Sequence, residues 1–308
     1  MILNVSALTP SELAKQLKYQ GIFLQTGSFI TRLQTSIPSV AEGIGLLYSD
    51  YPLVEQTDFA DFHVSLTKPN SLRRWVKPQV QFVFDGHSPF KPLPLDQAFP
   101  MLEWGLNWCI SSQINNYLII HAAVIEKDGY AAILPAPPGS GKSTLCAALI
   151  HRGWRLLSDE LALIRLNDAK VTPIPRPVSL KNQSIDIIRN FEPDAVLSRK
   201  VSDTIKGTVA HMKVPKNSIT LAAEVAQVGW VIFPKYQAAS DTRLEPLAQS
   251  RAFMRVADNA FNYSLLGTKG FEVLGNVIDN SICYDFTYSI LDEAIQTFDA
   301  LRPSSSLT

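Results

Sequence analysis

The stretch that most constrains this chain is Ala136-Pro137-Pro138-Gly139-Ser140-Gly141-Lys142-Ser143-Thr144. Residues 130–134 before it read as a strand and residues 143–150 after it as a helix. A glycine-rich turn between strand and helix, ending in Lys-Ser, has the makings of a phosphate cradle. The backbone N–H groups of Gly139, Ser140, Gly141, Lys142, Ser143 and Thr144 can curl around a triphosphate. Lys142 can reach its outer phosphates, and the Ser143 hydroxyl can ligate Mg²⁺. The helix opening at Lys142 turns its positive end toward the same anion. The pattern departs at its first position, where Ala136 stands in place of glycine. Glycine there permits backbone angles that alanine resists. Pro137 and Pro138 also remove two N–H donors. The bland alternative is an ordinary glycine-rich turn, and the strand–loop–helix context argues against it.

The rest of the composition excludes several classes. The chain has 308 residues, 46% hydrophobic and 18% charged, as folded globular proteins do. Lys plus Arg equals Asp plus Glu at 28 each, so there is no electrostatic case for a nucleic-acid partner. No apolar run approaches the length of a membrane helix. The three cysteines, Cys109, Cys146 and Cys283, are isolated and lack metal-ligand spacing. That points to a reducing compartment, and with no basic region before an apolar N-terminal run the expectation is a cytoplasmic protein.

Along the chain, residues 9–20 carry a helix-start signal of Thr9, Pro10 and Glu12. Residues 21–37 and 43–48 read as strands, as do 61–66 and 79–84. Prolines at 89, 92 and 94 mark a linker. The expected division is a β-rich accessory region over 1–96, a core built on the phosphate loop over 97–302, and a disordered tail over 303–308. Residues 97–116 form one helix by apolar spacing. Residues 117–125 and 130–134 form an antiparallel hairpin around Lys127-Asp128-Gly129. Residues 154–158 and 161–166 are strands, and 180–191 read as a helix. Residues 193–217 are expected to be loop-rich, with Lys206-Gly207-Thr208 a mobile loop closing on the site. Residues 228–233 form a buried strand. Helices over 247–263 and 269–277, a strand over 281–288 and a helix over 290–301 complete the chain.

Two spacings sharpen the loop's meaning. Lys142 follows His121 by 21 residues and precedes Asp159 by 17. The hairpin carries His121 toward the loop, and the strand after the loop helix brings Asp159 back to the same end of the sheet. The three side chains can therefore converge on the phosphates. A carboxylate near a transferred phosphoryl group can take a hydroxyl proton. For Asp159 the plainer reading is a solvated acid at a strand end, and for His121 a packed histidine. Glu160, the next residue along a strand, points the opposite way.

These residues resemble the HPr kinase/phosphorylase family. The resemblance is carried by His121-Ala122, by Gly139-Ser140-Gly141-Lys142-Ser143, and by Arg152-Gly153-Trp154-Arg155-Leu156-Leu157-Ser158-Asp159-Glu160. It covers residues 117–166, and the chain looks most like the HPr-kinase-related proteins of bacterial peptide-modification systems. It implies an α/β fold with a phosphoenolpyruvate-carboxykinase-like core, a mixed sheet flanked by helices, beside the small β-rich N-terminal region. It implies ATP and Mg²⁺ as donor and cofactor. It assigns phosphate binding to Lys142, Mg²⁺ to Ser143 with Glu160 as a second contact, general-base action to Asp159, and orientation of that base to His121. The family's downstream Arg-Gly-Leu-Gly element is missing. Arg176, Lys181 and Lys206 are candidate phosphate or substrate contacts, against the reading of plain surface charge.

The function so implied is transfer of the γ-phosphate of ATP to a serine hydroxyl of a peptide or protein. Two alternatives stay open. One is a nucleotide-binding regulatory or scaffold subunit without turnover, which the Ala-Pro-Pro entry favours. The other is a bifunctional kinase/phosphorylase. The expected partner is the serine-bearing acceptor, with no nucleic acid and no membrane, and a homo-oligomer is left open.

Overall fold

The computed structural model describes residues 3–54, 59–70 and 76–303; of the expected tail, residues 304–308 lie outside the described residues. The chain forms two compact units. The first holds residues 1–112, 179–185 and 195–213, and the second holds 113–178, 186–194 and 214–308.

The first unit opens with β1 (Leu3–Asn4) and α1 (Pro10–Tyr19). At the start of α1, Glu12 N donates to Thr9 Oγ1 at 3.3 Å and Thr9 N donates to the Glu12 carboxylate at 2.8 Å. Two donors that a helix start leaves orphaned are thereby satisfied. Next come β2 (Ile22–Thr26), β3 (Phe29–Thr35), α2 (Pro38–Leu47), β4 (Pro52–Val54), β5 (Phe62–Thr67), β6 (Gln79–Phe84), β7 (Leu93–Pro94) and α3 (Ala98–Gln113). Among the described residues these strands form a seven-stranded sheet in the order β1-β4-β2-β3-β5-β6-β7. Residues 43–48, read above as a strand, fall largely within α2. Pro38 preorganises the first turn, and Val40, Ile44 and Leu47 recur at helical spacing on its buried side.

The second unit begins with β8 (Tyr117–Lys127), β9 (Tyr130–Pro135), α4 (Lys142–Ile150), β10 (Arg155–Ser158), β11 (Leu161–Arg165) and β12 (Val171–Thr172). The chain then enters the first unit through β13 (Val178–Lys181) and α5 (Gln183–Phe191), whose later residues belong to the second. The helix expected over 180–191 is therefore split. Asn182 takes a positive φ of 52° between β13 and α5, and its backbone N–H donates to Thr208 O at 2.8 Å. Residues 193–217, expected to be loop-rich, contain a hairpin of β14 (Val201–Thr204) and β15 (Gly207–Met212). Lys206-Gly207-Thr208 is its turn and the start of its second strand, tied by Thr204 Oγ1 donating to Gly207 O at 2.6 Å. Polar residues on the exposed side of this hairpin mask its β pattern in the sequence.

The chain closes in the second unit with α6 (Lys216–Thr220), β16 (Gln227–Tyr236), β17 (Arg243–Pro246), α7 (Gln249–Asp258), α8 (Tyr263–Leu266), α9 (Thr268–Asp279), β18 (Ile282–Tyr288) and α10 (Leu291–Asp299). Among the described residues its sheet has eight strands in the order β12-β11-β8-β9-β16-β18-β17, with β10 also paired to β8. β9, β16 and β18 run parallel, and the remaining pairs are antiparallel. This is a mixed α/β unit. One face of β8, through Leu118, Ile120, Ala122 and Val124, packs on Ala252, Val256, Val273 and Leu274 of α7 and α9. α4 covers the other face and packs against α10. Every α4 residue but Ser143 is buried, as befits a helix that is apolar almost all round. Trp154, 1% exposed, seals this layer edge-on against Phe298 and Trp230.

β9 leaves β8 at Pro135, opposite Ala122. The segment 259–262 takes over that edge. His121 N donates to Asn259 O at 2.7 Å, and Phe261 N donates to Ile119 O at 2.8 Å. The buried Asn262 side chain accepts from Ile119 N at 2.9 Å and donates to Tyr117 O at 2.8 Å. Asn262→Ala would leave both backbone groups without these bonds inside the protein. The expected loss is about 2–3 kcal/mol of unfolding free energy in urea denaturation. A loss below about 0.5 kcal/mol, the level of an inert surface change, would show that the bridge contributes nothing.

Candidate phosphate-binding site

The loop between β9 and α4 is shaped by two glycines in the left-handed region. Gly139 has φ +85° and Gly141 has φ +87°, and Gly141 is the N-cap of α4. A Cβ on Gly141 would lie 2.5 Å from the Tyr288 hydroxyl and 2.8 Å from Tyr236 Cβ, so no other residue fits there unstrained. A Cβ on Gly139 would meet nothing within 4 Å, and this residue is exposed. Ala136 is buried and is not among the residues with positive φ, so alanine is accommodated at the position where the motif has glycine. Ser140 N donates to Pro137 O at 3.3 Å, closing a turn at the loop's entry. The amides of Lys142, Ser143 and Thr144 open α4, where no intrahelical acceptor exists.

Lys142 is buried, at 8% exposure, and its Nζ lies 3.4 Å from His121 Nε2. An ammonium can only donate, so this contact requires the histidine tautomer with its proton on Nδ1. Phe261 packs beside the His121 ring, with centroids 5.8 Å apart. β10 and β11 continue one lane along β8: Ser158 pairs with Val124 and Leu161 with His121. Asp159 and Glu160 therefore stand opposite Ala123 and Ala122, and Ala122 N donates to Glu160 O at 3.2 Å. Asp159 and Glu160 form the bend between β10 and β11, at the level of His121 and Ala122 on β8.

Asp159 is 6% exposed. Cys146 on α4 lies close enough to sense its charge. Burial pushes the Cys146 thiol well above the ordinary range; the charge of Asp159 pushes it further up, and that of Lys142 draws it down. Cys146, at the middle of α4, therefore feels both charges. Arg176 is buried in the second unit, where Ile174 N donates to Leu157 O at 2.8 Å nearby in the chain. Lys181 and Lys206 belong to the first unit, and Lys206 Nζ lies over the Trp104 ring at 5.1 Å. The structure thus brings His121, Lys142 and Asp159 to one level of one sheet, joined to the loop residues Gly139 to Thr144.

Two residues at the loop escape a reading by motif. Tyr236 N donates to Ser140 O at 2.8 Å, and the Tyr288 hydroxyl donates to Gly141 O at 2.9 Å. Each ends an apolar parallel strand, and only the strand order places them behind the loop.

No family model and no curated protein matches this chain. A solved structure, the Hpr(Ser) kinase/phosphatase from Coxiella burnetii, is similar at 16% identity, over 59% of this chain and 95% of that one, with a TM-score of 0.26. A likeness that distant decides neither activity nor ligand. Among the described residues no helix is long and apolar enough to cross a membrane. No group of three or more His, Cys, Asp or Glu side chains there could hold a metal ion.

The state of Cys146 is testable. A buried thiol held protonated is not a nucleophile. In native protein at pH 8, Cys146 should stay unmodified by N-ethylmaleimide, and it should react fully in guanidinium, as read by peptide mass spectrometry. The neutral thiol's advantage is present below the unfolded-state pKa and is lost only as pH rises through the raised folded value. Rapid native labelling at Cys146 would contradict the packing described for α4.

Proposed function

We propose that the second unit is an ATP- and Mg²⁺-dependent phosphotransferase, a serine kinase distantly related to HPr kinase/phosphorylase. The observation that carries this reading is the convergence of Lys142, His121 and Asp159 at one level of the sheet by the N-terminus of α4. A phosphate loop alone argues only for nucleotide binding. A buried carboxylate beside it adds a group able to take a proton.

In this reading the amides of Gly139, Gly141, Lys142, Ser143 and Thr144 and the Lys142 ammonium hold the donor's phosphates. Ser143 would hold Mg²⁺, which would supply charge neutralisation at the phosphates. The acceptor serine oxygen forms a bond to the γ-phosphorus as the bond from that phosphorus to the bridging oxygen breaks. ADP leaves with the bonding electron pair, and the hydroxyl proton passes to Asp159. His121, beside Lys142, orients the charges around that carboxylate. The low exposure of Lys142 and Asp159 strengthens both interactions relative to water.

The test is label transfer from γ-labelled ATP with Mg²⁺ to candidate serine peptides and protein fractions. Asp159→Asn should lower the rate about 10²–10⁴-fold, the usual worth of a general base. Lys142→Ala should remove both transfer and tight MgATP binding. Transfer that survives Asp159→Asn undiminished would eliminate the assigned base. Tight MgATP binding by the parent chain without transfer to any acceptor would replace the kinase reading with that of a nucleotide-binding regulatory subunit. Label released from a phosphorylated acceptor by inorganic phosphate would add the reverse activity.

A further inference from the structure

The loop is held from behind by a pair of tyrosines that its motif does not contain. β16 and β18 run parallel with Tyr236 opposite Tyr288, and their rings lie edge to face at 5.8 Å. Tyr236 N donates to Ser140 O at 2.8 Å, and Tyr288 Oη donates to Gly141 O at 2.9 Å. Gly141 O also accepts from Leu145 N at 2.9 Å, the first helical bond of α4. In a trans peptide the carbonyl of one residue and the N–H of the next point in opposite directions. Drawing the Ser140 and Gly141 carbonyls back toward the strand ends therefore turns the Gly141 and Lys142 amides away from the tyrosines.

We infer that Tyr288 is a positioning residue for phosphate binding: its hydroxyl, through the Gly141 carbonyl, sets the direction of the Lys142 amide and the angle at which Lys142 enters α4. This rests on the nucleotide-binding part of the function proposed above. Tyr288 is 1% exposed, while Tyr236 stays 47% exposed at the rim. Burial, and the neighbouring Tyr236 after it, push the Tyr288 hydroxyl upward in pKa, so it remains a hydrogen-bond donor at neutral and mildly alkaline pH. The contact also explains why Gly141 admits no side chain. The hydroxyl occupies the space a Cβ would need, at 2.5 Å.

The experiment compares the full chain with Tyr288→Phe, Gly141→Ala and the double variant. MgATP binding is read by calorimetry and the nucleotide-free melting midpoint by scanning calorimetry. Tyr288→Phe keeps the buried ring and should weaken MgATP binding about five- to tenfold, the worth of one hydrogen bond. Its nucleotide-free midpoint should shift by only about 2–4 °C. Gly141→Ala should weaken binding more, and the double variant should fall short of the product of the two single effects, because both act on one peptide group. Unchanged MgATP affinity in Tyr288→Phe, whatever happens to its midpoint, overturns the positioning role and leaves the nucleotide reading standing. No MgATP binding by the parent chain overturns both.

Discussion

Ala122 has no functional group, yet the candidate site depends on where its backbone lies. On one edge it pairs with Pro135, the last residue before the phosphate loop, and on the other its N–H bonds to Glu160 O. A strand has two edges, and here both end at the same level. One lets the chain leave as the loop, and the other receives the Asp159–Glu160 step. His121, one residue earlier on β8, is thereby set between them on the α4 face. A slip of one residue in the pairing of β10 and β11 would exchange the faces of their side chains and shift the Asp159–Glu160 bend between them along β8, since side chains alternate along a strand. The chemistry available to the site therefore follows from register before it follows from residue identity.

That register is held by interactions that cost as well as stabilise. Arg155, at the start of β10, forms a buried ion pair with Glu126 of β8 and donates to Leu221 O at 2.7 Å and Glu224 O at 3.1 Å. Burying such a pair gains little net stability over an apolar pair of the same shape. Its geometric effect is to pin β10 against Glu126, and thus the lane that continues to Asp159. The core around it is uniformly apolar on the α7–α9 side. Asp159, Lys142 and Arg155, like Glu126, Arg176 and Asn262, are charged or polar side chains buried in the second unit.

Much of this was legible from residue order. The hairpin of β8 and β9 showed in its β-branched runs and its Asp-Gly turn, and the loop showed in its glycines and Lys142. The spacing from His121 to Lys142 to Asp159 gave their common level on the sheet, because one hairpin strand, one helix and one return strand have nearly fixed lengths. What residue order hid is long-range. Tyr236 and Tyr288 reach the loop only because β16 pairs in parallel with β9, as Gln227 with Tyr130, and β18 pairs in parallel with β16, as Trp230 with Ile282. Asn262 replaces the missing stretch of β9 on the edge of β8 from a similar separation. Local misreadings had local causes. Residues 43–48 are β-prone by composition, but Pro38 and the burial of Val40, Ile44 and Leu47 win for helix. Residues 180–191 carry one apolar pattern through a break that Asn182 imposes with its positive φ.

The irregular entry of the loop and the two tyrosines behind it belong to one solution. Pro137 and Pro138 contribute no N–H, and the Ser140 N–H is turned inward to Pro137 O. The amides left to face an anion are those of Gly139, Gly141 and the first turn of α4, where the Lys142 N–H makes only a long bond of 3.4 Å to Ser140 Oγ. With fewer donors, the direction of each one matters more, because a hydrogen bond weakens steeply as its angle departs from linear. A proline turn makes the entry stiff, and stiffness helps only if the following peptides are aimed correctly. The parallel strands β16 and β18 supply that aim from fixed positions in the sheet, by a main-chain bond to Ser140 and a hydroxyl bond to Gly141. The departure at Ala136 is tolerated for the same reason. The loop's shape is set from behind by the sheet, and the left-handed turns that it needs fall at Gly139 and Gly141.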